Sequence, residues 1–338
     1  MAKSLFLLSA ITFTTVVLIC GCSPQRPAEA PIVSSVEPIA PPEAEPVRAE
    51  PNEVPAVSPE PNEPVRTKVE PAATEPNDAG IDRVSSFHAG YAAILKEFVD
   101  EKGMVDYKGL RRKRLDLRAL LNQFDTLGPD EYKSWPRQDK MAFWINVYNL
   151  QKLKVVTDNY PIEPASRILT IYWGPGSLRH IEQNIARHKF LVMDEEFTFA
   201  AVEKRFFRGE FDDPRVFFAL SSACLSSPPL RSEPYDGRRL DEQLDEQVRK
   251  FLAGPLALRI DRDQRKVYLS ALFQSSSYGK EFAEKFAIER KFKDHPPATR
   301  AVLNFISSYV SKQDVSFLEV GNYTIEYMMY DWTINDGS

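Results

Sequence analysis

Apolar residues recur at helical spacing along much of the chain. This period predicts helices over seven ranges, namely 86–100, 107–125, 137–157, 198–208, 238–253, 279–291 and 298–311. The second range carries its apolar residues on one stripe, so it should lie on a core with its basic residues in solvent. Within the third range, Met141–Leu150 is apolar nearly all round, which predicts a buried helix.

Shorter segments with alternating or continuous apolar residues predict strands. They are Phe190–Met193 with Glu196–Thr198, Arg215–Leu220, Leu256–Ile260 with Lys266–Leu269, and Thr324–Tyr330. The polar residues Asp261–Gln264 separate two such runs and predict a hairpin. Helices and strands do not alternate regularly, so a doubly wound parallel sheet is not expected. The sequence therefore predicts an α+β fold: a helix-rich single domain with a small, mostly antiparallel sheet.

The chain begins with one basic residue, Lys3, and an apolar run from Leu5 to Ile19. A helix of that length is too short for a bilayer core of roughly 30 Å, and it suits a secretory signal. The residues Ile19-Cys20-Gly21-Cys22 then resemble the bacterial lipobox, in which the last cysteine receives lipid. We expect residues 1–21 to be a lipoprotein signal peptide and Cys22 to carry diacylglycerol and palmitate. The alternative is an ordinary signal peptide in which both cysteines are incidental.

Residues 22–80 differ sharply in composition from the rest. They hold more than half of the 26 prolines, with eleven acidic and four basic residues. Such a segment buries too little apolar surface to fold, and its prolines favour an extended, semi-rigid spacer. We predict a disordered linker over 22–80 and a globular domain over 81–338. The domain has a net charge of only +1, which argues against a nucleic-acid partner.

The expected location follows from the anchor. The lipid would hold the protein in the cell envelope, with the membrane as its first partner and an envelope or cell-wall component as a further one. Ser23 follows the lipidated cysteine, and no acidic retention signal is present, so the outer membrane is expected rather than the inner one in a cell with two. Only Cys224 remains beyond Cys22, so the domain should contain no internal disulfide. The oligomeric state stays open.

Two stretches carry the candidate chemistry. In the buried helix, Asn146 and Asn149 lie three residues apart on one face, where they either hold neighbouring backbone or line a pocket. Further along, Cys224 lies in a loop of small hydroxyl residues. It is either a small buried apolar residue or a nucleophile, for which His180 or His188 could serve as the base. Neither a phosphate-binding glycine loop nor paired metal-binding histidines are found, so we expect no cofactor and no metal.

These stretches resemble the bacterial and plant domain of unknown function 547. The family's Ala-Phe-Trp-Ile-Asn-x-Tyr-Asn helix is matched from Ala142 to Asn149. Its strand and cysteine-containing loop are matched in outline over 215–229, and its closing segment over 330–335. The resemblance covers roughly residues 130–335.

The departures from the family matter as much as the matches. Phe217 occupies the place of the family's strand histidine, and Lys204 that of a second histidine. Ser222 and Ser227 stand at the two usual cysteine positions, with Cys224 displaced by two from the first. The family's thiol or metal chemistry therefore does not carry over residue by residue.

The polar residues that remain in these stretches predict a polar pocket. Its candidate residues are Asn146, Asn149, Glu203, Arg215 and Ser222. Our leading hypothesis is a domain that binds a ligand or partner, and the alternative is a thiol-dependent hydrolase or acyl transferase that uses Cys224.

Overall fold

Helices make up most of the chain that the computed structural model describes, which is residues 78–164, 166–274, 286 and 291–338. The α-helices are α1 (Asp78–Phe98), α2 (Tyr107–Arg112), α3 (Arg114–Asp125), α4 (Pro129–Ser134), α5 (Arg137–Asp158), α6 (Arg167–Trp173), α7 (Glu182–Arg187), α8 (Phe199–Val202), α9 (Val216–Ala219), α10 (Leu240–Leu252), α11 (Pro297–Ser307) and α12 (Lys312–Val320). Short 3₁₀ turns cover Leu178–Ile181, Gly237–Arg239 and Ala271–Gln274.

Helix α5 forms the centre of the structure. Its residues are buried on every side from Met141 to Leu153, as its nearly uniform apolar sequence predicts. Pro136 precedes its first turn, where the missing N–H costs nothing. Helices α3, α2, α7 and α8 surround it, so polar side chains on α5 must find partners inside the protein.

Two small sheets accompany the helices. Strands β1 (Phe190–Val192) and β2 (Glu195–Phe197) form an antiparallel hairpin. Strands β3 (Leu258–Asp261) and β4 (Lys266–Leu269) form a second hairpin, with Leu258 opposite Leu269. Strand β5 (Thr324–Tyr327) adds to β4 in parallel, so this sheet is mixed. The predicted α+β class is confirmed.

One predicted strand is wrong. Residues 215–220 were expected to be extended, but Val216–Ala219 form the single turn α9. Asp213 starts this turn, since its Oδ1 accepts a hydrogen bond from Arg215 N at 2.9 Å. All four α9 residues are buried, and an apolar run so short cannot distinguish a helix from a strand by its period.

The hydrophobic core has two clusters. The first surrounds α5 and includes Phe217, and the second lies between α10, α11 and the mixed sheet and includes Phe218. Helix α9 therefore joins the clusters through adjacent side chains. None of the helices in the described ranges is long and apolar enough to cross a membrane.

Three predictions lie outside the described residues. These are the signal peptide with Cys22, the linker up to residue 77, and the helix over 279–291 apart from Phe286 and Lys291. Helix α1 begins at Asp78, eight residues before its predicted start. Helices α4, α6, α7 and α12 were not predicted, because each has at most nine residues.

Candidate functional site

A cavity of about 400 Å³ opens beside α5, and we refer to it as the Tyr148 cavity. Polar and apolar side chains both reach its surface, as is usual for small-molecule sites. The described residues that line it are Tyr148, Arg179, Glu203, Arg208, Phe217, Leu220, Ser222, Pro228, Ala271, Leu272, Tyr330 and Trp332.

A hydrogen bond between two helices forms one wall. Tyr148 Oη on α5 donates to Glu203 Oε1 at 2.8 Å. Glu203 begins the π-helix Glu203–Glu210, which follows α8 directly. Residues five apart share a face of a π-helix, and Arg208 Nη2 accordingly lies 3.9 Å from Glu203 Oε2. The wall thus presents a phenol from α5 beside a carboxylate and a guanidinium that lie one turn apart on the π-helix.

Another part of the cavity surface comes from a cation on an aromatic ring. The guanidinium carbon of Arg179 lies 4.5 Å from the centre of the Trp332 ring. Leu178 N donates to Trp332 O at 2.9 Å, so backbone pairing fixes this contact. Arg179 also forms an ion pair of 3.2 Å with Glu182. Its side chain remains 39% exposed, and it can therefore meet a ligand from solvent.

Asn149 holds the backbone beside the cavity. Its Nδ2 donates to Ala219 O at 2.9 Å, and its Oδ1 accepts from Ser221 N at 3.0 Å. The two bonds bracket Leu220, which lines the cavity. Asn149 is thus a positioning residue for the wall, and the prediction that it lines the pocket is not what the structure shows.

Asn146 acts in the same way on another segment. Its amide donates to Tyr235 O at 2.8 Å and accepts from Tyr235 N at 2.9 Å. Tyr235 is not among the described residues of the cavity wall. The side chain of Asn146 is fully buried, so its place as a candidate pocket residue is corrected to a structural one.

A match to a known protein family includes most of the residues that line the cavity. The family model described as "Protein of unknown function, DUF547" matches residues 132–252. Residues 132–252 belong to the DUF547 family. No match was found among the curated proteins or among the solved structures. The DUF547 region supplies the cavity residues from Tyr148 to Pro228, while Ala271, Leu272, Tyr330 and Trp332 come from the chain beyond the match.

Two further candidate pocket residues of the DUF547 region, Ser222 and Arg215, lie in different depressions of the structure. Ser222 lines the Tyr148 cavity together with Glu203. Arg215 does not. It lines a second depression, where its guanidinium bonds Asp213, Asp241 and Asp245 at 2.8, 2.7 and 3.0 Å. These carboxylates raise the pKa of Arg215, with Asp213 contributing most, so Arg215 ties α9 to α10.

Cys224 of the DUF547 region is a buried thiol. Only 2% of the residue is exposed, and its Sγ donates to Tyr330 Oη at 3.2 Å. Burial raises the pKa of the thiol above its usual value, which lowers the fraction of nucleophilic thiolate at neutral pH. These surroundings are typical of a structural cysteine.

The two candidate histidines bond elsewhere. His180 Nε2 lies 2.9 Å from Gly174 O, and His188 Nε2 lies 3.1 Å from Gln151 Oε1. Burial lowers the pKa of His188 to about 4, so this ring is neutral near pH 7. Neither histidine pairs with Cys224 in the described structure. That structure also contains no group of three His, Cys, Asp or Glu side chains suited to a metal ion.

Sequence reasoning missed the buried cation of the DUF547 region, Lys152. It lies one turn after Tyr148 on α5 and is 7% exposed. Its Nζ lies 4.0 Å from the centre of the Phe199 ring and 5.3 Å from that of Tyr148. Burial lowers its pKa to about 8, while Glu203 and Cys224 oppose that shift. The available signal was a lysine just beyond the apolar stretch Met141–Leu150 that was predicted to be buried.

Proposed function

We propose that this protein is a lipid-anchored component of the bacterial cell envelope whose DUF547 domain binds a small ligand in the Tyr148 cavity. The anchor part rests on the lipobox-like residues that end at Cys22 and on the proline-rich segment after them. The binding part rests on one observation: Tyr148, Glu203, Ser222 and Arg179 converge on a cavity of about 400 Å³ that is otherwise largely apolar.

The mixture of groups in the cavity supports a small, partly apolar ligand. Phe217, Leu220 and Leu272 give it apolar surface, and burial of that surface supplies most of the affinity in such sites. Glu203 accepts hydrogen bonds, whereas Arg179 donates them, so the cavity can orient a ligand with both donors and acceptors.

The arrangement favours binding over thiol chemistry. A cysteine nucleophile needs a base within hydrogen-bond reach and a thiolate at working pH. Cys224 has the Tyr330 hydroxyl as its neighbour and a raised pKa. We therefore retain ligand binding as the proposed function of the domain.

The anchor is tested by fractionation of cells that produce the full chain or its Cys22→Ala variant. We expect the wild type in the membrane fraction with incorporated radiolabelled palmitate, and the variant without the label. A wild-type protein that incorporates no palmitate, or a variant that is labelled equally, would contradict the proposal.

Ligand binding is tested with three fluorinated probes of different charge, namely 4-fluorobenzoate, 4-fluorobenzamide and 4-fluorobenzylamine, observed by ¹⁹F NMR. We expect line broadening of at least one probe with the wild type and none with Ser222→Phe, which fills the cavity. Leu225→Phe is the matched control, because Leu225 lies three residues away and is 40% exposed outside the wall. Equal broadening by both variants would exclude the cavity as the site.

A further inference from the structure

Helix α6 presents an apolar surface to solvent. Ile168, Ile171 and Tyr172 are 67%, 84% and 77% exposed, and Trp173 is 38% exposed. Single exposed apolar side chains are common, but Ile168, Ile171 and Tyr172 are three and four residues apart and share one face of this short helix, which Trp173 ends. Patches of this kind mark surfaces that bind a protein or a membrane.

The helix is held in a defined conformation at both ends. Ser166 Oγ accepts a hydrogen bond from Leu169 N at 3.3 Å, and Gly174 N donates to Thr170 O at 2.9 Å. Gly174 has φ +76°, a left-handed conformation that glycine adopts without strain. The ring of Trp173 lies 5.4 Å from that of His180, whose Nε2 bonds Gly174 O. The patch therefore belongs to an ordered part of the fold.

The charges of the sequence that contains and follows α6 favour one kind of partner. Helix α6 carries Arg167 and no acidic residue. Residues 166–189 hold four basic residues and one acidic residue, so this part of the chain is positive while the domain as a whole is nearly neutral. Tryptophan and tyrosine prefer the boundary between lipid headgroups and acyl chains, and basic residues are attracted to anionic headgroups.

We propose that α6 docks on the surface of a lipid bilayer, with Ile168, Ile171, Tyr172 and Trp173 inserted at the headgroup boundary. This inference rests on the proposed lipid anchor. An anchored domain meets the bilayer at high effective concentration, so a short helix that binds lipid only weakly by itself is sufficient. The length of residues 23–77 sets the greatest distance of the domain from the membrane and leaves contact with it possible.

The test uses the full-length lipidated protein in vesicles of phosphatidylcholine and phosphatidylglycerol whose acyl chains carry bromine, which quenches tryptophan fluorescence at short range. We expect quenching of the wild type that is lost in Trp173→Phe and retained in Trp135→Phe, since Trp135 packs against the first core cluster. Ile171→Asp should also lose the quenching. Leu115→Asp is its control, because Leu115 is 68% exposed on α3.

Two readouts separate this inference from the proposed anchor. Flotation of the vesicles reports whether the chain is attached, and quenching reports whether α6 touches lipid. If both proteins float with the vesicles but quenching is equal in the wild type and in Trp173→Phe, then α6 does not dock on lipid. A protein partner or a second copy is then left as the occupant. A protein that does not float overturns the anchor itself.

Discussion

The ammonium nitrogen of Lys152 lies 4.0 Å from the centre of the Phe199 ring, inside the first core cluster. Lys152 forms no ion pair and no hydrogen bond with the described residues, so two aromatic faces and the nearby charge of Glu203 partly offset its loss of water. A cation on an aromatic face recovers about 0.5–2 kcal/mol, and burial of a charge costs more than that. Its pKa of about 8 reflects this imbalance.

Replacement of Lys152 by methionine should stabilise the protein in a pH-dependent way. Because the pKa is lower in the folded state, the unfolded chain binds more protons between pH 8 and 10.5, and wild-type stability rises with pH there. In the wild type, the lowered pKa of Lys152 reduces the free energy of unfolding by about 3 kcal/mol at pH 7 and by about 1 kcal/mol at pH 10. Urea unfolding of the wild type and Lys152→Met at both pH values should show the stabilisation shrink by about 2 kcal/mol.

The control for Lys152→Met is Lys154→Met. Lys154 pairs with Asp158 at the surface, and its removal should change stability by about 0.5 kcal/mol or less at either pH. An effect of Lys152→Met that is the same at pH 7 and pH 10 would contradict a lowered pKa for Lys152.

Long periodic segments were predictable from the sequence because their pattern repeats over several turns. This holds for α5, α10 and α11. The hairpin of β3 and β4 was predicted from a different signal, the polar turn residues between two short alternating runs. The turn α9 and the π-helix were not predictable, since four buried residues or one shifted hydrogen-bond register leave no distinct period. Tertiary packing decides both.

The candidate site was predictable only in part. The sequence singled out Glu203 and Ser222, which line the Tyr148 cavity, but not Arg179 and Trp332, because these two are distant in sequence and meet through backbone pairing near the end of the chain. For Asn149, the sequence indicated a buried amide that needs partners. It could not indicate that those partners are the backbone groups of Ala219 and Ser221.

Asn149→Ala should destabilise the protein and weaken the cavity. The substitution leaves Ala219 O and Ser221 N buried without their partner, which costs about 2–4 kcal/mol. Because these groups flank Leu220, broadening of the fluorinated probes should fall as well. Urea unfolding and ¹⁹F NMR measure the two effects. The control is Asn184→Ala, which should change neither, because the Asn184 amide bonds Asn159 at the surface. Full probe binding by Asn149→Ala would show that the cavity wall does not depend on the Asn149 side chain.

Cys224 should react slowly with thiol reagents in the folded protein. It is buried and its pKa is raised, so both access and thiolate fraction are low at neutral pH. In a chain with Cys20→Ser and Cys22→Ser, where Cys224 is the only thiol, alkylation by iodoacetamide at pH 7 should be at least tenfold slower than in urea. Rapid labelling of the folded protein, with a rate that already reaches its maximum below pH 7, would revive the thiol-enzyme alternative.

Arg215 should contribute to stability through more than its charge. Its guanidinium reaches Asp213, Asp241 and Asp245 at once, and a lysine ammonium cannot reproduce that planar fork. We expect Arg215→Met and Arg215→Lys each to lower the free energy of unfolding, by about 1–3 kcal/mol for the first. Asp241→Asn is the matched control, because Asp241 is 78% exposed and its loss should cost under about 1 kcal/mol. Urea unfolding at low and high salt measures these differences. A fully stable Arg215→Lys variant would mean that one charge suffices, and that the three-carboxylate contact does not hold α9 against α10.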